Sequence, residues 1–258
     1  WQRHYLPNNA ALVLAGDLTR AEAQALAEAS FGSWQAGELT AAVAAPAITT
    51  KASVVLVPKA DATQTALQVT LLGTDRKTAD FAPLEVMNAA LGGLFTSRIN
   101  NTLREEKGYS YGVFSQFDYR RTAGPFDITG SVRTNATGAS VAEIIKEVKA
   151  IREHPLPDAE LENARNAQVL SLPGHFDTNE GVGASLAGLF VYDLPLDYYS
   201  TLAQQYSTVS SAQVQAVARK YLVPEKLVVV AVGDRKKIEP QLKKLKLGTI
   251  EVRGVDSP

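Results

Sequence analysis

The feature that most limits how this chain can fold is a unit that occurs at both ends. Pro7, Leu12-Val13, Gly16-Asp17 and Glu22 recur, in order and at one constant offset, as Pro224, Val229-Val230, Gly233-Asp234 and Glu239. Such self-similarity marks one supersecondary unit used twice. Each copy reads as an apolar extended run, a Gly-Asp turn and a helix. In the first copy Asn9 to Ala15 is strand-like, and Thr19 with Glu22 makes a capping box. Ala21, Ala25, Leu26 and Ala29 then form a helical stripe that stops before Phe31-Gly32. One copy of a larger unit therefore ends within residues 1–35, and most of it is expected upstream of Trp1. Residues 36–47, rich in Ala with Gly37 and Pro46, read as a linker. A second, complete copy is expected over 48–252.

Composition narrows the class. The chain carries 26 basic and 27 acidic side chains and a net charge of −1. No field of this kind recruits nucleic acid or an anionic membrane. Hydrophobic residues make up 45% of the 258, enough for a sizeable core. The absence of cysteine removes disulfides, Cys-ligated zinc and thiol chemistry. No apolar run approaches the roughly 20 residues that span a bilayer. The chain opens at Trp1 without a methionine, so the lack of a signal peptide in these residues carries no weight.

Within the second copy, Ser53 to Val57 reads as a strand and Gln64 to Leu72 as another, with Leu67, Val69 and Leu71 on one parity. A helix is expected from Phe81 to Leu91. Tyr109 to Phe117, a turn over Tyr119–Gly124, and Phe126 to Arg133 read as a hairpin. Val141, Ile144, Ile145, Val148 and Ile151 place an amphipathic helix over 137–152. Helices are further expected over 158–172, 178–192 and 197–206, and one capped by Ser210 up to Leu222. Leu227 to Val232 reads as a buried strand, followed by a short helix and a final strand. Strands, then helices, then strands again indicate an α+β fold, a mainly antiparallel sheet covered by helices.

The stretch Leu91 to Ser115 carries the chemistry. Gly92-Gly93 breaks the upstream helical pattern. Phe95, Ile99 and Leu103 lie at four-residue spacing and are expected on one helix face. Gly108 stands where a helix C-cap would be. Arg104 then lies in the last helical turn, and Tyr111 on the strand that leaves it. By spacing alone this is an Arg favoured by the helix dipole next to an ordinary strand tyrosine.

The wording of the segment adds to that. Gly92-Gly93, Ser97-Arg98 and Leu103 through Tyr111 follow a Gly-Gly, Ser-Arg, Leu-Arg-Glu-x-(Lys/Arg)-Gly-x-x-Tyr order. In this the chain resembles the second, non-zinc half of the M16 (pitrilysin/insulinase, mitochondrial-processing-peptidase-like) zinc metallopeptidases. The resemblance extends to residues 5–17, Phe31 to Trp34, and 181–199. It implies an M16/LuxS-like metallohydrolase half, one of two that close around a chamber, preceded by the tail of a homologous half. It also implies that Tyr111 donates to the oxyanion of a peptide tetrahedral intermediate and that Arg104 holds a substrate carbonyl. Tyr109 shares strand parity with Tyr111 and stands as the alternative phenol. Gly92 and Gly93 either touch substrate backbone or serve as a helix break.

A zinc peptidase needs a close cluster of nitrogen or carboxylate ligands. His4, His154 and His175 are isolated, and the helix where the family carries His-x-x-Glu-His reads Ala82-Pro83-Leu84-Glu85-Val86. No metal is expected in this chain, and Glu85 reads as a solvated helix residue. The resemblance places zinc in a complementary half or partner subunit, a peptide as substrate, and a bacterial periplasmic setting. The alternative is a catalytically silent scaffold or assembly subunit of the same fold.

Overall fold

The computed structural model describes residues 3–40 and 51–254. Of the expected linker, residues 36–40 are irregular. Residues 41–47, and the expected domain start at Ile48, lie outside the described residues.

Along the chain, a 3-10 turn at Pro7–Asn9 leads through an irregular run to helix α1, Arg20–Phe31. Strands β1 (Ser53–Pro58) and β2 (Gln64–Leu72) precede α2 (Phe81–Asn88), which runs on into a π turn at Ala89–Gly93. The short α3, Arg98–Asn100, continues as a π turn over Asn101–Glu106. The hairpin β3 (Ser110–Phe117) and β4 (Pro125–Arg133) follows. Five helices come next: α4 (Thr137–Glu153), α5 (Asp158–Ser171), α6 (Asn179–Val191), α7 (Tyr198–Ser207) and α8 (Ser211–Tyr221). The chain ends as β5 (Val228–Gly233), α9 (Arg235–Lys244) and β6 (Thr249–Val252). Among the described residues no helix is long and apolar enough to cross a membrane.

The chain divides into two compact units, Trp1–Pro46 with Leu170–Thr201, and Ala47–Val169 with Leu202–Pro258. The second contains the sheet, in the order β3-β4-β2-β5-β1-β6. The pairs β3/β4, β4/β2 and β2/β5 are antiparallel, whereas β5/β1 and β1/β6 are parallel. The α+β reading holds, with the parallel pairs confined to one end. One sheet face is buried: Val54 and Leu56, Thr65 to Leu71 at alternate positions, Val113, Phe126, Ile128, Val132, Val229 and Ala231. Beneath it lie Val141, Ile144, Val148 and Ile151 of α4, so the period-2 and period-3.6 patterns meet in one core. A buried hydrogen bond of 2.8 Å from Thr137 Oγ1 to Thr65 Oγ1 pins the start of α4 to β2. The other face carries Gln68, Asp127, Thr129 and Gln116, with Gln68 Nε2 donating to Asp127 Oδ1 at 2.8 Å.

In the first unit the predicted capping box is present: Thr19 N donates to Glu22 Oε2 at 2.7 Å, and Glu22 N to Thr19 Oγ1. The expected strand over Asn9 to Ala15 does not form. Asn9 closes the 3-10 turn, Ala10 is extended, and residues 10–15 form no ladder among the described residues. Strand character needs a neighbour to accept its N–H and C=O groups, and among the described residues this run has none. Leu12 and Leu14 stay exposed, and α1 buries no residue.

Two further readings are corrected. Phe95 lies ahead of α3 and is exposed, while Ile99 and Leu103 are buried as expected. The chain approaches α3 in extended form at Leu94, so the four-residue spacing does not begin at Phe95. Glu85 is not a solvated residue. Its carboxyl accepts a hydrogen bond from Tyr119 Oη at 2.9 Å, within a ring cluster in which Phe81–Tyr119 centroids are 5.0 Å apart and Phe117–Tyr119 5.4 Å. Burial raises its pKa, against the lowering effects of the Tyr119 hydrogen bond and the Arg76 charge. The Tyr119 phenol is pushed up by burial and then by Glu85. The helix period put Glu85 off the apolar stripe, and the hairpin turn that covers it comes from far along the chain.

Gly92 is a position that admits no side chain. A Cβ there would meet Ser115 Oγ at 2.4 Å. Gly92→Ala should therefore cost about 1–3 kcal/mol in urea unfolding. Gly183→Ala, in α6 with open space around it, should be neutral or raise stability by about 0.5–1 kcal/mol. Equal stabilities for the Gly92 variant and wild type would show that the π turn moves freely away from β3.

A carboxyl with a raised folded pKa holds its proton better folded than unfolded. Its stabilising contribution is full below the ordinary value of 4.5 and is lost as pH rises through the folded value. Glu85→Gln keeps an acceptor for Tyr119 and cannot ionise. The Tm of wild type relative to this variant should fall as pH rises above about 4.5. Parallel Tm-versus-pH curves for the two proteins would rule this out.

Candidate functional site

The site begins at the helix-to-strand corner. The π turn at Asn101–Glu106 ends through Gly108, whose φ of +60° is the left-handed conformation that a Cβ disfavours. Gly108 N donates to Arg104 O at 3.2 Å and Tyr109 N to Leu103 O at 2.7 Å. These bonds use up the last carbonyls of the turn and aim the chain into β3.

Arg104 is held from two sides. Its guanidinium carbon lies 3.7 Å from the Phe95 ring centroid, which accounts for the exposed aromatic ahead of α3. Its Nη1 is 2.8 Å from Glu105 Oε1, an ion pair in which that buried nitrogen makes no hydrogen bond. A planar cation on a ring face has one direction open to it, so Arg104 is positioned before any ligand arrives.

Tyr111 owes its direction to a β-bulge. Ser110 pairs with Val132 but Val113 with Gly130, so Tyr111 and Gly112 together oppose one residue of β4. Ser110 Oγ stitches the bulge, donating to Ser131 O at 2.6 Å and accepting from Gly112 N at 3.0 Å. Tyr111 is thrown outward, 89% exposed, and its hydroxyl has no partner among the described residues. The strand-parity argument for Tyr109 does not apply, because Tyr109 precedes β3 and the bulge shifts the alternation. Tyr109 is half-buried, and its carbonyl accepts from Arg133 N at 2.9 Å.

Arg104, Tyr109 and Tyr111 line one open pocket of about 570 Å³. Gln64, Glu105 and Arg133 complete its polar wall. Arg133 and Gln64 face each other in the β2/β4 register, a pairing 69 positions apart that no local pattern announces. Gly92 and Gly93 do not line this pocket. Gly92 is buried against Ser115, and a Cβ on Gly93 would meet Asn88 Nδ2 at 2.8 Å.

Two asparagines that sequence reading passed over hold the corner together. Asn100, buried, accepts from Val113 N at 2.9 Å and donates to Leu94 O at 3.1 Å. Asn88, also buried, accepts from Ser115 Oγ at 2.6 Å. The rim of the sheet is thus occupied at Val113, whose N–H is not open there to an added strand. Arg98 of the Ser-Arg pair is structural: Nε and Nη2 grip Glu160 at 2.5 and 2.7 Å.

The residues present do not fit a metal. Among the described residues no three His, Cys, Asp or Glu side chains are close enough to hold one. His4, His154 and His175 are exposed. On α2, Ala82 and Val86 are buried apolar side chains, and the Glu85 carboxyl is engaged by Tyr119.

Known proteins match this chain as follows. The family model for the peptidase M16 inactive domain matches residues 1–168. The "Non-peptidase homolog YmxG" of Helicobacter pylori is 25% identical over 158 residues, which are 61% of this chain and 37% of that protein. The "Uncharacterized zinc protease YmxG" of Bacillus subtilis is 26% identical over 170 residues, 66% of this chain and 40% of that protein. The chain thus spans about two fifths of the length of these curated relatives. A crystal structure of a peptidase M16 inactive domain from Pseudomonas fluorescens superposes with a TM-score of 0.77 at 29% identity, over 85% of this chain and 52% of that one. With a family match over more than half of its residues, the chain belongs to the peptidase M16 inactive domain family.

Proposed function

We propose that this chain is the C-terminal, non-zinc portion of an M16-like zinc metalloendopeptidase. In this reading residues 1–35 are the remnant of a first half, 36–47 the linker and 48–252 the second half. The metal and the water-activating base belong to a complementary half or partner subunit, and the substrate is a peptide. One observation carries the reading: Arg104, fixed on Phe95, and Tyr111, turned outward by the bulge, line the same pocket.

The chemistry follows from the two side chains. Peptide hydrolysis develops negative charge on the former carbonyl oxygen, and a preorganised neutral donor aimed at it lowers the barrier. A tyrosine hydroxyl free of other partners is such a donor. Arg104 offers a charged, directional fork to a neighbouring substrate carbonyl, in the ground state as well as in the transition state. Tyr109, beside Arg133, and the Gly92-Gly93 turn behind β3 contribute to substrate binding in this reading. Gly92 does so by letting the π turn approach β3.

A second reading has its own support. The Helicobacter pylori relative is named a non-peptidase homolog, and a catalytically silent scaffold or assembly subunit would keep the fold. The two readings part on whether His-x-x-Glu-His stands upstream of Trp1 or in a neighbouring gene. The peptidase reading requires it there.

The decisive test uses the complete protein with its metal-bearing part and a peptide turnover assay. Tyr111→Phe removes one hydroxyl and should lower kcat by about 10²–10³ with KM nearly unchanged. Arg104→Lys keeps charge but loses the fork and its stacking on Phe95, and should lower kcat/KM. Tyr109→Phe keeps the ring beside Arg133 and should leave kcat near wild type. Normal kcat for Tyr111→Phe would sink the assignment, and a large loss for Tyr109→Phe would move the donor role to that phenol.

A further inference from the structure

The pocket contains a charge that the proposed chemistry does not use. Arg104 has Glu105 as an ion-pair partner. Arg133 has no acidic partner among the described residues. Arg98 is paired with Glu160, Arg120 with Asp118, Arg235 with Glu239 and Arg253 with Glu251. Arg165 and Arg219 also lack an acidic partner among the described residues but bind the Val209 and Arg152 carbonyls, and Arg152 lines no such pocket, so Arg133 is set apart by its place in the pocket wall. A guanidinium without an acidic partner at the wall of a concavity attracts anions to it.

Its position is set by backbone. Arg133 is the last residue of β4, its N–H bound to Tyr109 O at 2.9 Å, and its guanidinium carbon is 5.7 Å from the Tyr109 ring centroid. Opposite it in register stands Gln64, whose amide extends the polar wall on the same sheet face. The fork of a guanidinium matches a carboxylate by two parallel hydrogen bonds.

We propose that Arg133 makes this pocket select peptides that carry a carboxylate near the carbonyl held by Arg104. This rests on the substrate-binding role proposed above. The carboxylate comes either from an Asp or Glu side chain or from a peptide C-terminus, and both present the same group to Arg133.

The test is calorimetric binding to the complete protein, with a chelator present to stop turnover. The probes are three decapeptides: one N-acetylated and C-amidated with a central Glu, its Gln counterpart, and the Gln peptide with a free α-carboxylate. At low salt the Glu peptide or the free-carboxylate peptide should bind about fivefold tighter than the neutral one, with the ratio shrinking as salt is added. Whichever of the two shows the preference identifies the source of the carboxylate. Arg133→Gln should bring the ratio to one. Lys59→Gln, an exposed cation after β1, should leave it unchanged. Equal binding of all three peptides, no measurable binding, or a preference that survives Arg133→Gln overturns the inference. The catalytic reading fails separately, on a normal kcat for Tyr111→Phe. That result leaves the binding ratio intact.

Discussion

The placement of the pocket depends on two buried side-chain amides. Asn100 satisfies Val113 N–H, and Asn88 satisfies Ser115 Oγ. Each such group, buried and left unpaired, would cost about 1–3 kcal/mol. Between them Gly92 comes so close to Ser115 that a methyl group does not fit. These contacts clamp the π turn after α2 and the start of α3 to the outer strand of the sheet. Once that is done, the corner through Gly108 can set Arg104 and Tyr111 into one pocket only. The glycine pair is therefore a packing device whose effect on the site is indirect.

The two copies of the repeat show what a strand needs besides its residues. Pro7 and Pro224 each open a 3-10 turn, and both copies continue through Gly-Asp into a helix. Val229-Val230 lie in β5, between β2 and β1. Among the described residues Leu12-Val13 join no ladder. The local code is shared, and the difference is whether neighbouring strands accept the backbone groups. The same dependence on neighbours explains Glu85. A helix wheel places it off the core stripe, and the ring of Tyr119 on the distant hairpin encloses it.

Membership of the M16 inactive domain family and the composition of α2 point the same way. A helix that presents Ala82 and Val86 to the core, with its carboxylate bound to a phenol, is built for packing and offers no ligand cluster among the described residues. What the sheet unit retains is a rim of donors: a stacked guanidinium, an outward phenol and a second, unmatched guanidinium. Donors without a metal or a general base can orient and stabilise, and cannot activate water by themselves.

The sequence by itself determined what short-range periodicity and hydrogen bonding can encode. Strands over 53–57 and 64–72, the amphipathic α4, the caps at Thr19 and Ser210, the left-handed Gly108 and the order Arg104-then-Tyr111 all follow from neighbours a few residues apart. The family could be recognised from the same corner. The tertiary structure alone decided the rest, because each remaining feature joins distant residues. The bulge that turns Tyr111 outward needs the β3/β4 register. Arg133 reaches the pocket because β4 pairs with both β2 and β3. Phe95 became a platform for Arg104 once α3 began at Arg98. The segment Leu170–Thr201 grouped with Trp1–Pro46 across most of the chain. Periodicity says which face of an element is apolar. Which partner covers that face is settled by long-range contacts that no local spacing records.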